Sequence, residues 1–160
     1  MILRQFLANL FLAVVYMALA GQSGVYDFLI GFAIGWVVVS MYGWATDAPS
    51  YTKRIVQLAR FACYFVRILI KANLQIAWEI ITPSLHQTPR ILRYSVEGYS
   101  DAEITVLANC ITLTPGTLVV DVSDDKRFLY VHCMYAQDEN AARAELDELA
   151  VRVRREVFAA

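Results

Sequence analysis

Two long apolar stretches open the chain, with a short polar turn between them. Gln5 to Tyr26 is 22 residues without a charged side chain, and Phe28 to Thr46 is 19 more, with Asp27 between them. Roughly 20 apolar residues cross a hydrocarbon core about 30 Å thick, and a helix satisfies its own backbone there. The pattern predicts a transmembrane helical hairpin in residues 1–48, with helices over about Ile2 to Ala20 and about Tyr26 to Trp44.

The basic residues around the hairpin predict its orientation. Arg4 precedes the first span, Lys53 and Arg54 follow the second, and the turn between the spans has neither lysine nor arginine. Because basic residues favour the cytoplasmic side, we expect both ends of the hairpin, and the C-terminal domain, in the cytoplasm. Ala18-Leu19-Ala20 is also typical of a signal-peptide cleavage site, but the second span that follows at once favours a retained hairpin.

The interior of the hairpin predicts no ion transport by this chain alone. Ion carriers need ionisable or polar groups inside the membrane, and we expect none at the middle of either span. Asp27 and Asp47 lie at the span ends, where carboxylates act as helix caps or interfacial anchors. Gly31 and Gly35 form a G-x-x-x-G strip that lets a helix approach closely. That helix is either the first span or a helix of a partner protein.

Residues 49–89 are predicted to form a basic amphipathic helix and a linker containing Pro83, His86 and Pro89. In the stretch from Ile55 to Ile81, Arg60, Arg67 and Lys71 share one stripe, and most other positions are apolar. Burying each cation at mid-bilayer would cost on the order of 2.5–3.5 kcal/mol. We therefore favour a helix at the cytoplasmic interface of the lipid bilayer over a third span whose stripe is covered by another protein chain.

Residues 90–160 have the pattern of a small cytoplasmic α+β domain. Ile91 to Glu97 is predicted to be a strand, and Ser100 with Glu103 forms a capping box that begins a helix ending near Thr112. Leu118, Val120 and Val122 alternate as a strand that pairs in a hairpin with Phe128 to Met134, and a helix follows over about Asp138 to Phe158. The order β-α-β-β-α predicts a truncated ferredoxin-like sandwich.

Composition and motifs argue against an enzyme. The chain is 58% hydrophobic and 18% charged, with a net charge of −1, and too little remains outside the membrane for a large catalytic cleft. His86 and His132 lack metal-ligand spacing, and no nucleophile–base pair or phosphate loop is present. We expect no catalytic residue, metal or cofactor. Nucleic-acid binding is disfavoured because the cationic stripe adjoins apolar surface, and the three widely spaced cysteines are predicted to be buried, reduced thiols.

The segment from Leu107 to Thr117 concentrates polar side chains at a helix end, namely Asn109, Thr112, Thr114 and Thr117 around Pro115 and Gly116. Its side chains either satisfy local backbone groups or dock on a neighbouring protein. Leu107-Ala108-Asn109 and Ile111-Thr112-Leu113-Thr114-Pro115-Gly116-Thr117, followed by Asp121 and Tyr130-Val131-His132, resemble the E subunit of the Mrp-type multisubunit cation/proton antiporters, also called Mnh or Pha systems. Cys110 stands where that pattern has a serine.

The resemblance implies an accessory, non-catalytic subunit of a Na⁺/H⁺ antiporter in the cytoplasmic membrane, needed for assembly or stability and bound to other membrane subunits. Our candidate contact residues are Gly31, Gly35, Arg60, Arg67, Lys71, Asn109, Thr112, Thr114, Pro115 and Gly116. The alternative is a free-standing, membrane-anchored regulatory or ligand-binding module.

Overall fold

The computed structural model describes residues 2–21, 23–46, 51–82 and 87–158, and the chain divides into two compact units, residues 1–57 and 58–159. The elements in chain order are helices α1 (Ile2–Ala20), α2 (Val25–Ala45) and α3 (Tyr51–Ile81), strand β1 (Arg90–Ser95), helix α4 (Asp101–Leu113), strands β2 (Thr117–Val122) and β3 (Phe128–Cys133), and helix α5 (Glu139–Arg152), which continues as a π-helix over Val153–Phe158. Asp47, Pro83 and His86, named above, lie outside the described residues.

The first unit is built on the pair formed by α1 and α2. Both helices are long and apolar enough to cross a membrane. The N-terminus of α2 is capped by Asp27, whose carboxylate accepts a hydrogen bond from the Gly24 N–H at 3.2 Å. The two helices approach closely because small residues lie between them: Gly31 faces the backbone of Ala13, and Gly35 faces that of Asn9.

The G-x-x-x-G strip is in contact with α1 of the same chain. A Cβ atom at Gly31 would lie 2.9 Å from the Ala13 carbonyl oxygen. One at Gly35 would lie 3.1 Å from the Asn9 carbonyl oxygen and would overlap the Asn9 Oδ1 atom. The backbone atoms among these contacts cannot give way, so this face of α2 is used within the hairpin. A partner contact through the same two glycines stays a prediction.

Asn9 is a polar residue in the interior of α1, and the expectation of spans without mid-span polar groups was wrong there. Its side chain is fully buried. The Nδ2 group donates to the Tyr51 hydroxyl at 3.5 Å, and Oδ1 lies over Gly35. An asparagine amide does not titrate, so Asn9 adds packing specificity to the hairpin without adding an ionisable site.

The second unit contains a three-stranded antiparallel sheet in the order β1-β3-β2. One sheet face is buried against α4 and α5, and its core comprises Leu92, Tyr94, Leu129, Val131 and Cys133 from the strands, with Ile104, Leu107 and Ile111 from α4 and Leu146 and Leu149 from α5. A register shift between Val119 and Asp121 marks a β-bulge in β2. The predicted order of strands and helices is therefore present in this unit.

Helix α3 contributes to this second core. Phe61, Tyr64, Phe65 and Ile68 pack against the buried cluster, and Arg152 of α5 lies with its guanidinium carbon 3.9 Å from the centre of the Tyr64 ring. The sequence pattern divided the chain into residues 1–48, 49–89 and 90–160. That division stays a prediction. In the structure, the part of α3 from residue 58 onward belongs to the same compact unit as the α+β domain, because its aromatic side chains help to cover the domain core.

Local capping contacts are those that the sequence indicated. The Ser100 N–H donates to Glu103 Oε2 at 2.8 Å, while the Glu103 N–H donates to Ser100 Oγ at 3.3 Å. This reciprocal pair satisfies free amides at the start of α4.

The cysteines differ in their surroundings. Cys110 and Cys133 are buried, and burial raises the pKa of both thiols. Cys63 is exposed, contrary to expectation, because it lies on the side of α3 opposite Phe61 and Phe65.

We expect Gly35→Ala to loosen the hairpin, since the added Cβ would crowd the Asn9 backbone carbonyl oxygen at 3.1 Å and displace the buried Asn9 amide, and overpacking of this kind costs about 1–3 kcal/mol. Gly43→Ala is the matched control, because a Cβ there would lie 3.7 Å from Gln5 Nε2, an ordinary contact. Hydrogen exchange measured by mass spectrometry in detergent should show faster exchange in α1 and α2 for Gly35→Ala only. Equal exchange in the two variants would contradict this packing.

Candidate partner interface

The hydroxyl side chains at the end of α4 are used locally. Thr114 Oγ1 donates to the Cys110 carbonyl at 2.9 Å, and Thr117 Oγ1 donates to the Ile111 carbonyl at 2.7 Å. Thr112 Oγ1 accepts a hydrogen bond from the Val119 N–H at 3.3 Å. These bonds satisfy carbonyls that the helix end leaves free and tie α4 to β2. The Asn109 side chain is exposed and makes no hydrogen bond to the described residues.

Gly116 is required by both its backbone and its surroundings. Its φ is +89°, a conformation that side chains with a Cβ rarely adopt. A Cβ here would also lie 3.3 Å from Cε2 of Tyr135, and the Gly116 carbonyl accepts a hydrogen bond from the Met134 N–H at 2.8 Å. The Pro115-Gly116 turn thus brings the Tyr135 ring against the end of α4.

Tyr135 joins this turn to α3. Its hydroxyl donates a hydrogen bond to the Glu79 carboxylate near the C-terminal end of α3, and Glu79 is only 8% exposed. The hydrogen bond to Glu79 is the main cause that raises the pKa of Tyr135 to about 12. The motif turn, Tyr135 and Glu79 therefore form one contact that holds α3 on the α+β domain. Neither Glu79 nor Tyr135 was selected from the sequence, because their contact joins residues 56 positions apart.

Five of the predicted contact residues line one cavity. The stripe residues Arg67 and Lys71 of α3 face the turn residues Thr114, Pro115 and Gly116 across a space of about 380 Å³ that α5 also borders. The structure thus joins two predicted features, the stripe and the turn.

The other candidate residues lie elsewhere. Arg60, on the same stripe, is exposed and does not line this cavity. Gly31 and Gly35 belong to the first unit, where they contact α1.

The uncovered face of the sheet is a surface that our candidate residues did not include. Cross-strand pairing sets Ile91 beside His132 and His132 beside Leu118 in one row, and Arg93 beside Tyr130 and Tyr130 beside Asp121 in the next. Ile91 is 63% exposed and Leu118 47% exposed. Arg93 also lies over the Phe128 ring, with its guanidinium carbon 3.6 Å from the ring centre. This face is largely apolar and aromatic, and among the described residues of the second unit no helix covers its exposed apolar positions.

The sheet face is more accessible to a partner than the sheet edges are. The Arg93 carbonyl on β1 accepts a hydrogen bond from Arg143 Nη1 at 2.9 Å, and the Val119 N–H on β2 is bound by Thr112. Side chains that occupy outward backbone groups discourage the addition of another strand. A signal for the open face was present in the sequence: Leu118, Tyr130 and His132 belong to strands that carry large side chains on both faces.

Among the described residues, no group of three or more histidine, cysteine, aspartate or glutamate side chains is arranged to hold a metal ion. His132 is half-buried on the open sheet face, between Ile91 and Leu118. The arrangement fits protein contact better than metal or acid–base chemistry.

Comparison with known proteins gives consistent matches. A family model described as Na⁺/H⁺ ion antiporter subunit matches residues 9–157. The Na⁺/H⁺ antiporter E subunit of Bacillus subtilis (strain 168) is 32% identical over 144 residues, covering 90% of this chain and 91% of that protein. The E subunit of the Na⁺/H⁺ antiporter of Alkalihalophilus pseudofirmus is 31% identical over 130 residues, covering 81% of this chain and 82% of that protein.

Two solved structures contain chains that are similar to this one. A chain in the structure of the Mrp complex from Dietzia sp. DQ12-45-1b has a TM-score of 0.51 at 27% identity, covering 63% of this chain and 96% of that chain. A chain in the structure of the membrane-bound sulfane sulfur reductase, an archaeal respiratory membrane complex, has a TM-score of 0.52 at 21% identity, covering 93% of this chain and 98% of that chain. The second likeness concerns the fold alone.

We expect Tyr135→Phe to weaken the attachment of α3, because it removes the hydrogen bond to the buried Glu79 carboxylate. A hydrogen bond to a charged group contributes about 1.5–3 kcal/mol. The pKa of Tyr135 is raised in the folded chain, so this contribution is complete below the ordinary pKa of 10 and is lost as the pH rises toward about 12. Urea unfolding of wild type and Tyr135→Phe at about pH 8 and about pH 11.5 measures it. A difference in stability that is equal at the two pH values would contradict the assignment.

Proposed function

Because the chain belongs to the family of Na⁺/H⁺ antiporter E subunits, we propose that it is an accessory, non-catalytic membrane subunit of a multisubunit antiporter that exchanges Na⁺ for H⁺. The observation that carries this proposal is the interior of the hairpin. Neither Gln5 to Tyr26 nor Phe28 to Ala45 contains Asp, Glu, Lys or Arg. A carrier of protons or cations needs such groups inside the membrane, so partner subunits supply them.

The open sheet face is the surface through which the domain contacts its partners. It presents exposed apolar side chains at Ile91 and Leu118, flanked by one cation, Arg93, and one carboxylate, Asp121. An apolar centre with a polar margin is the usual composition of protein interfaces. The residues Asp121, Tyr130 and His132, which carry part of the family resemblance, lie in adjacent rows on this face. That coincidence supports a shared partner surface.

Helix α3 lies at the cytoplasmic interface of the membrane in this proposal. Its sequence carries Arg60, Arg67 and Lys71 on one stripe, and Ile70 and Leu74 are exposed beside that stripe. Cations in water or on anionic headgroups, with apolar side chains in lipid, avoid the cost of burying charge.

The basic residues around the hairpin support an orientation in which both ends of the hairpin lie on the cytoplasmic side of the membrane. Arg4, Lys53 and Arg54 favour a cytoplasmic position for both ends of the hairpin.

We also infer that β1 to α5 is a truncated ferredoxin-like unit. A full unit of that kind has the order β-α-β-β-α-β. The antiparallel order β1-β3-β2, with α4 and α5 packed on one face, supports a unit of this kind without the last strand.

One observation favours the alternative, a free-standing regulatory or ligand-binding module: the cavity of about 380 Å³ beside α3 has the volume of a small-ligand site. The two functions differ in what the chain retains when purified. An accessory subunit brings other membrane subunits with it, whereas a free-standing module is recovered alone.

We expect Leu118→Glu to lower the recovery of partner subunits at least about tenfold, because burying an unpaired carboxylate in an interface costs more than the roughly 1.4 kcal/mol of a tenfold change. Val151→Glu is the matched control, since Val151 is an exposed apolar residue on α5. The measurement is quantitative capture of each tagged chain from gently solubilised membranes. Equal recovery with the two variants would refute the sheet face, and wild-type chain recovered without partners would favour the free-standing module.

A further inference from the structure

The cavity beside α3 has an apolar floor and a charged opening. Its apolar lining includes Ile68 of α3 with Leu146 and Leu149 of α5. The charged part consists of Arg67 and Lys71 of α3 and Glu145, Glu148 and Arg152 of α5. Its volume of about 380 Å³ lies in the range of small-ligand sites, roughly 300–1,000 Å³. A molecule bound in this cavity therefore needs an apolar part that contacts the apolar lining and a charged part that pairs with the charged lining.

Arg67 differs from the other cations of this lining. Lys71 Nζ lies 3.7 Å from Glu145 Oε1, and Arg152 Nε lies 3.2 Å from Glu148 Oε1. Within the described part of the chain, the Arg67 guanidinium has neither an ion pair nor a hydrogen bond. Its planar group offers paired donors that match the oxygens of a phosphate group. Arg67 is therefore the position in the cavity where an anion finds an unused donor.

An exposed apolar surface begins directly beside Arg67. Ile70 and Leu74 follow it at i+3 and i+7, so they lie along the same side of α3, and they are 55% and 65% exposed. Phe61 and Phe65 face the domain core, which leaves this second apolar surface without cover in the described unit. A phosphate site bordered by uncovered apolar surface matches an amphiphile with a phosphate headgroup and hydrocarbon chains.

We propose that this cavity binds the phosphate-bearing headgroup of a membrane phospholipid, with Arg67 on the phosphate and the acyl chains along Ile70 and Leu74. The inference rests on the proposed function, because it takes α3 to lie at the membrane surface. It adds a lipid site that fixes the depth of α3. A soluble phosphate ester carries the same recognised group, so the test separates the two sources.

The test uses the purified full chain in detergent and native mass spectrometry with three probes: phosphatidylglycerol, glycerol phosphate, and diacylglycerol without phosphate. We expect Arg67→Gln to weaken phosphatidylglycerol binding about ten- to a hundredfold, as for loss of a charge-assisted hydrogen bond. Arg60→Gln is the matched control, because Arg60 lies on the same stripe and outside the cavity. Arg67→Lys keeps the positive charge but lacks the paired donors of arginine, so its phosphatidylglycerol binding should lie between that of wild type and that of Arg67→Gln.

Three results would overturn the lipid site. Equal losses for Arg60→Gln and Arg67→Gln would indicate general attraction to a cationic helix. Glycerol phosphate binding as tightly as phosphatidylglycerol would assign the cavity to a soluble ester. Diacylglycerol binding as tightly as phosphatidylglycerol would show that the phosphate group does not contribute to binding. Recovery of partner subunits is measured separately, with the wild-type chain and with Leu118→Glu. Failure of the lipid site is read from phosphatidylglycerol binding by Arg67→Gln, and failure of the accessory-subunit function is read from wild-type chain recovered without partners, so the two failures give different results.

Discussion

The close approach of α1 and α2 is the constraint on which the membrane part of the chain depends. Gly35 has to lack a side chain because the Asn9 amide fills the space above it, and Gly31 has to lack one because the Ala13 backbone lies there. Lipid supplies no hydrophobic drive between helices, so packing of this kind holds the pair together. The Nδ2 group of the buried amide donates to the Tyr51 hydroxyl, and Oδ1 lies against Gly35. The hairpin is thus a packed anchor whose two spans, Gln5 to Tyr26 and Phe28 to Ala45, contain no Asp, Glu, Lys or Arg.

Helix α3 has three kinds of surface. The first surface faces the α+β domain: Phe61 and Phe65 cover the domain core, and the Glu79 carboxylate accepts a hydrogen bond from the Tyr135 hydroxyl. The cationic stripe forms a second surface, and exposed apolar residues such as Leu74 form a third. The family motif around Gly116 supports the contact between α3 and the domain, because its turn positions Tyr135, whose hydroxyl donates to Glu79. A segment that was a candidate for partner contact therefore has a structural role inside the chain.

Much of the fold was predictable because it follows from short-range patterns. The alternation of Leu118, Val120 and Val122 and the Ser100–Glu103 capping box depend on residues close in sequence, and the elements occur where these patterns put them. The attachment of α3 was not predictable, because the apolar surface of Phe61 and Phe65 is equally suited to lipid and to a protein core. The same ambiguity applied to Gly31 and Gly35, which only the folded chain assigns to α1. The open sheet face had a signal in the sequence, because its strands carry large side chains on both faces, but which side chains lie side by side on that face depends on the cross-strand register.

The central claim is that ions cross the membrane through partner subunits and not through this chain. Its most direct test is reconstitution of the purified chain alone into vesicles that contain a pH-sensitive dye, followed by an imposed Na⁺ gradient. The account predicts a pH change no faster than in protein-free vesicles. A sustained, Na⁺-dependent pH change that rises with the amount of chain in the vesicles would contradict it.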